Sequence, residues 1–423
     1  MAYAPPARTS IAEKVLLFVI PVALMLENSL PRIGGLTVSF AAFGAGLTYV
    51  TVMRHNDLVR VATSRLFLML AGLMLLFTAS ELLHSGSDMK QISRIASMMV
   101  GALVIATLCR DEGAFKTVVA SQVFVGIILA MLILAAANGI GLTMGGVQSA
   151  GRFRAQLLQD APIYGDLNTI SHMTGLGAIL AFVWARRMRS QPAAWALYAI
   201  VIFCVLGSLF TLSRGGLVAL VIASAVVATF GARGARDRNM AIAFVSLVAI
   251  ALILLLPSLV FDRLASTLDD SPGARPDGRE LVYTAVATTF DEYSLFGVGA
   301  GQFWDAWGAA NGFRLSAGSG VSGAHNSLFQ VWIYWGLLAA LAFGFVLFIL
   351  IRTGFSQKSP HQAVNATAMA FALYLSVHLM LTHNIQHKFV SIGIGVISAY
   401  ALWTSPKPTL RLWTGPRRVL TRP

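Results

Sequence analysis

Two arginines and a histidine are the residues of this sequence best suited to chemistry. Arg279 and His325 lie in a long polar interval, Leu259 to Asn326, and Arg214 lies upstream in TLSRGGLVAL. A guanidinium presents two parallel donors, a fork that fits phosphate oxygens. A neutral imidazole can take the proton of a hydroxyl. Two forks for an anion and one base for a hydroxyl suit group transfer from a phosphate-bearing donor. Each residue also has an ordinary reading. Arg214 could end a span, Arg279 could be a surface arginine, and His325 or Asn326 could cap the span that follows.

Local sequence frames these residues further. Asp277–Gly278–Arg279–Glu280 resembles a capping box, which puts Arg279 in the first turn of an amphipathic helix with Tyr283, Val286 and Phe290 on one face. Free amides at that helix start would add to the grip on an anion. A second polar interval, Asn138 to Asn168, contains Asp166 and Asn168. Capping of the next span and substrate contact fit these two equally well. His172, four residues beyond Asn168, would share its helix face. Glu27, Glu81 and His378 fall near the outer ends of apolar runs, where a carboxylate either snorkels, pairs with a loop arginine, or functions. His383 and His387 are four apart but have no third ligand nearby, so no metal site is expected.

The elements that must hold these groups are membrane spans. The chain has 423 residues, 57% hydrophobic and 12% charged, against about 25% charged in soluble proteins. Its formal charge of +13 is spread singly or in threes between apolar runs, without the aromatic-interleaved stripe of a nucleic-acid binder. Runs of spanning length occur at about 14–30, 34–53, 64–83, 92–109, 115–137, 169–185, 192–211, 214–230, 240–260, 327–351, 366–382 and 388–404. The expected fold is an all-α polytopic integral membrane protein of about twelve transmembrane helices. The first span is expected to be retained rather than cleaved. Cys109 and Cys204 fall in or beside spans, so neither a disulfide nor a cysteine-held metal is expected.

Basic residues set the orientation. With the N-terminus inside, most of the 31 lysines and arginines fall in short cytoplasmic segments, as the positive-inside tendency requires. Both termini are then cytoplasmic and the long loop is extracytoplasmic. Five regions follow: N-terminal helices at 1–137, core helices with the first outside loop at 138–260, the long catalytic loop at 261–326, C-terminal helices at 327–404, and a basic tail at 405–423.

TLSRGG, GRELVY followed by LFGVGAGQF, HNSLFQVWIYWGLL and GDLNTISHM together resemble the O-antigen ligase and polysaccharide polymerase superfamily. The resemblance covers roughly Pro162 to Leu350; the earlier spans match only in hydropathy. It implies a GT-C-like membrane fold in the bacterial inner membrane, with one long periplasmic loop. Arg214 and Arg279 would match the family's diphosphate-gripping arginines, and His325 its proton-abstracting histidine. The implied reaction is a metal-independent, inverting glycosyl transfer that needs no cofactor. Tyr283 stands where the family often has tryptophan, and Leu167 stands where Asp–Pro–Asn is common.

The implied donor is an undecaprenyl-diphosphate-linked oligosaccharide. The acceptor is either lipid A-core, in an O-antigen ligase, or a second lipid-linked glycan, in a Wzy-type polymerase. Membrane lipids, a flippase and a chain-length regulator are the expected partners. Two other readings compete: a transporter or flippase of lipid-linked sugars, and a structural component of an envelope assembly. A transporter should gather its polar groups at mid-membrane depth, whereas these gather at the outer mouth.

Overall fold

The computed structural model describes residues 9–26, 32–33, 36–84, 89–139, 167–188, 190–230, 287–288, 290–300, 326–357, 359–382, 385 and 387–403, with a few positions between 234 and 246. Its helices are α1 (Ile11–Met25), α2 (Val38–Met53), α3 (His55–Ala62), α4 (Arg65–Leu82), α5 (Met89–Leu108), α6 (Glu112–Gly139), α7 (Leu167–Ala185), α8 (Gln191–Phe210), α9 (Arg214–Phe230), α10 (Phe290–Tyr293), α11 (Ser327–Gly354), α12 (Gln362–Leu381) and α13 (Lys388–Trp403). A two-residue antiparallel ladder, Arg32–Ile33 with Leu36–Thr37, precedes α2.

The architecture is that of a polytopic α-helical membrane protein. Among the described residues seven helices, α4 to α8 with α11 and α12, are long and apolar enough to cross a bilayer; α2, α9 and α13 are shorter apolar helices. Each expected run except the ninth overlaps a helix over most or all of its described residues. The ninth, 240–260, lies almost wholly outside the described residues. Large apolar side chains such as Leu75, Val221, Leu338 and Phe345 face outward, the side on which lipid replaces water and costs them nothing.

The most enclosed element is α7. Every residue from Leu167 to Ala185 except Asn168 is buried, and α6, α8, α9 and α12 pack around it. Small residues permit this closeness. A Cβ on Gly216 of α9 would collide with the Ser171 hydroxyl of α7. Two buried hydroxyls pair across helices, as a water-poor interior favours: Ser171 Oγ of α7 lies 2.7 Å from Ser208 Oγ of α8.

One end of the bundle is tied by charge. Glu13, fully buried, pairs with Arg54 at 2.5 Å and with Arg110 at 2.8 Å. Arg110 also reaches Asp57 at 3.1 Å. This network joins α1, the α2–α3 corner and the end of α5. At the same end, Trp184 Nε1 donates to Thr367 Oγ1 at 3.2 Å and Arg187 to Gln362 at 2.8 Å, linking α7 to α12.

Helix α11 is broken at Gly336, whose φ of 81° and ψ of 179° are not helical. The residues after α10 occupy the break. Val298 N–H donates to Ile333 O at 2.9 Å, Gly299 N–H to Tyr334 O at 3.0 Å, and Leu337 N–H to Leu295 O at 3.2 Å. Groups released by the broken helix are thus satisfied by the segment inserted beside it, as backbone buried among apolar helices must be. Two of the sequence motifs, LFGVGAG and WIYWG, are therefore partners in one local structure.

Candidate functional site

The site end of the bundle lies opposite the ionic network. It begins at the α8–α9 corner, where only three residues separate the two helices. Leu212 turns the chain with a positive φ of 53°, a conformation non-glycine residues rarely adopt and one that costs about 1–3 kcal/mol. Hydroxyls stabilise the turn. Thr211 Oγ1 donates to Ser208 O at 2.6 Å and accepts from Ser213 N at 3.2 Å. Ser213 Oγ accepts from Gly216 N at 3.2 Å, so Ser213 is the N-cap of α9.

That cap also reaches α7. Ser213 donates its hydroxyl to Asn168 Oδ1 at 2.9 Å. Arg214, the first residue of α9, is half-buried and stands next to this pair, at the helix terminus where free amides favour an anion. A Cβ on Gly215 would lie 3.5 Å from Leu381 and 3.9 Å from His172 Nε2, so the Arg214 turn rests on the ends of α7 and α12. Asn168 lies inside the first turn of α7 rather than before it, and its carbonyl is engaged with the corner that carries Arg214.

Histidines line the floor beneath. His172 and His378 are both fully buried, their rings perpendicular with centroids 5.0 Å apart. Tyr374 meets His172 edge-on at 6.3 Å, and Phe389 meets His378 at 5.1 Å. His387 stands 6.0 Å from His378 and its Nδ1 accepts from Phe389 N at 3.2 Å. Among the described residues no group of three histidine, cysteine, aspartate or glutamate side chains is placed to hold a metal. His383 lies outside the described residues.

The start of α11 completes the mouth. Asn326 Oδ1 accepts from Leu328 N at 2.9 Å and Phe329 N at 3.2 Å, so Asn326 is the N-cap of this helix. Ser327 Oγ donates to Thr382 O at 2.9 Å, and Thr382 caps the far end of α12 against His378 O. Contacts therefore run without interruption from Asn326 through α12 and the buried histidines to the Arg214 corner. Arg279, His325, Asp166 and Tyr283 lie outside the described residues.

Sequence reasoning undervalued Glu81. Snorkelling to the interface is excluded, because its side chain is fully buried. Its carboxylate accepts from Ala300 N at 3.0 Å and from Trp335 Nε1 at 2.8 Å. Nothing in the α4 sequence alone names these two donors, which lie more than 200 residues away. His84, which the sequence does not mark, lies at the same turn. Its ring nitrogens lie 2.8 Å from Ser80 O and 3.1 Å from Gly297 O.

The chain is a polytopic α-helical membrane protein in which the Arg214 corner, the start of α7 and the start of α11 lie at one end of the bundle. The family model described as O-antigen ligase matches residues 199–344, from α8 to the middle of α11, bearing out the resemblance over that part of the chain. Curated proteins gave no match. Family match and membrane architecture together support a membrane function of the O-antigen ligase and polymerase type in general.

Proposed function

We propose that this protein transfers or polymerises undecaprenyl-diphosphate-linked oligosaccharide at the periplasmic face of the inner membrane, building cell-surface polysaccharide. Arg214 and Arg279 grip the diphosphate. His325 takes the proton of the acceptor hydroxyl. The acceptor oxygen then forms a bond to the anomeric carbon from the side opposite the leaving group. The bond from that carbon to the diphosphate oxygen breaks, the lipid diphosphate leaves with the electron pair, and the configuration inverts. The donor is already activated, so orientation and stabilisation of the leaving charge are what the protein must add.

The observation that carries this reading is the convergence of the Arg214 corner, the start of α7 and the capped start of α11 on one mouth, within and beside the segment matching the O-antigen ligase model. Asn168 supports Arg214 through Ser213 in this scheme, and Asp166, Tyr283 and Asn326 complete the surroundings of the substrate. Polar groups concentrated at a helix-end mouth favour transfer over transport through the bilayer.

The test is transfer by purified protein in nanodiscs, given a lipid-diphosphate glycan donor and either lipid A-core or a second lipid-linked glycan. Release of lipid diphosphate with a lengthened or newly attached glycan is expected. Arg214→Ala and Arg279→Ala should each lower turnover by roughly 10²-fold or more, with lysine restoring little because it lacks the planar fork. Full activity with lysine at both positions would remove the bidentate grip. Donor binding without turnover on any acceptor would favour a transporter. A reporter fused near Ala274 should signal periplasm; a cytoplasmic signal would overturn the orientation. Chain growth from donor alone marks a polymerase, and dependence on lipid A-core marks a ligase.

A further inference from the structure

The last turn of α4 meets the broken part of α11 with a matched set of donors and acceptors. Ser80 Oγ donates towards Phe296 O and Trp335 O, each at 3.3 Å, and a His84 ring nitrogen lies 3.1 Å from Gly297 O. Glu81 supplies the acceptors. Both of its oxygens lie within reach of Ala300 N, at 3.0 and 3.3 Å, and Oε2 also accepts from the Trp335 indole at 2.8 Å. Phe77, one turn earlier on α4, stacks on the Trp335 ring at 4.1 Å. One carboxylate therefore ties the main chain of the inserted segment to a side chain at the break in α11.

A carboxylate is an expensive group to bury at the end of an apolar helix. A neutral amide could fill the same space and its carbonyl could accept from both donors, but only an acceptor-only group sets no N–H of its own against them and adds the strength of a charged acceptor. From Ala300 the chain continues to His325 and then to Asn326, the cap of α11. We propose that Glu81 is a positioning residue for transfer: it fixes Ala300 against Trp335, and so holds the first half of α11, with its Asn326 cap, in place beside the inserted segment. This rests on the function proposed above. Glu81 itself touches main chain and indole, acting through the segment it holds.

Glu81→Gln is the variant to measure, because it keeps shape and removes a charge. With its carbonyl in the place of Oε2, its amide nitrogen stands where Oε1 now lies 3.3 Å from Ala300 N, donor against donor. In intact protein in nanodiscs, hydrogen exchange at Val298 to Ala300 should quicken by roughly tenfold or more as the charged hydrogen bond is lost. In the transfer assay kcat should fall by roughly 10–100-fold while KM for the lipid-diphosphate donor stays near wild type. Adding Trp335→Phe removes the indole donor and keeps the stacking ring. The double variant should regain most of the lost kcat and of the exchange protection, which a merely space-filling Glu81 would not produce. Wild-type kcat and exchange in Glu81→Gln would overturn the proposal. So would a rise in donor KM with unchanged exchange, because Glu81 would then contact substrate. A wild-type protein without transfer would refute the enzymatic reading, and the exchange measurement would still decide the clamp.

Discussion

Ser213 donates its hydroxyl to Asn168 Oδ1 across 2.9 Å, joining two motifs 45 residues apart. Because Ser213 also accepts from Gly216 N, one hydroxyl caps α9 and fastens it to α7. Ser213→Ala should cost about 1–2 kcal/mol for the cap and the buried bond together. Thermal unfolding in detergent measures that loss. Transfer should fall more than unfolding alone explains, because Arg214 is the next residue. Equal transfer at a temperature well below unfolding would mean that Arg214 holds its place without this support.

Gly336 and Gly297 meet the opposing backbone directly. Both have positive φ, 81° and 77°, and a Cβ on either would overlap the other segment's carbonyls. Gly336→Ala therefore brings backbone strain and a collision that cannot be relieved by rotating a side chain. The expected destabilisation is about 2–4 kcal/mol, read as a lower unfolding temperature and reduced folded yield. Gly344→Ala, about two turns further along the same helix, is the control. A Cβ there meets only Leu328 Cδ1 at 3.8 Å, so that variant should be neutral or slightly stabilising.

Much of this was legible in the sequence, for physical reasons that also mark where legibility ends. Apolar runs such as 92–109 and 366–382 reveal helices because a bilayer leaves the backbone no alternative to internal hydrogen bonding. TLSRGG could be read as a tight corner from its length. That Leu212 would take the positive φ there, with two glycines three and four residues on, could not. The break in α11 was hidden inside the uninterrupted apolar run 327–351, since Gly336 in a spanning helix ordinarily signals close packing. Only the inserted segment 295–300 explains it, and pairing across that distance leaves no periodic trace. Arg54 and Arg110 read as markers of orientation, but the structure pairs both with the buried Glu13, and Arg110 is itself buried. A charge pattern reports side of membrane and says nothing of partners.

Acid should loosen the end opposite the site. Asp111 caps α6, accepting from Ala114 N at 2.8 Å, and its other oxygen accepts from Thr9 N at 2.8 Å. Burial pushes its carboxyl pKa up, but the amides of Thr9 and Ala114 and the charge of Lys14 outweigh burial and hold it below the ordinary value. A group depressed in the folded state stabilises fully above its unfolded pKa, about 4. That stability is lost as pH falls through the lower folded value. Asp111→Asn should thus unfold more readily at neutral pH, and show a weaker further loss than wild type as pH drops below about 4. Melting curves of both proteins across that range are the check. Parallel acid limbs would remove Asp111 from the account.

The cap at the start of α11 separates two roles that the sequence left entangled. Asn326 fills the N-cap position with two backbone bonds, so capping does not require His325. Asn326→Ala should lose about 1 kcal/mol of stability, with Asn326→Asp or Asn326→Ser retaining most of it. His325→Gln should leave the melting temperature unchanged, since the cap beside it is intact. Glutamine keeps a polar side chain of similar reach but cannot take up a proton at neutral pH. If His325 is the base, turnover in that variant falls by roughly 10²–10⁴-fold, while binding of the lipid-diphosphate donor, assigned to Arg214 and Arg279, stays near wild type. The two substitutions should therefore move opposite readouts: stability for Asn326→Ala, turnover for His325→Gln. Wild-type turnover in His325→Gln would exclude this histidine as the base. A fall in stability equal to that of Asn326→Ala would make it a structural neighbour of the cap instead.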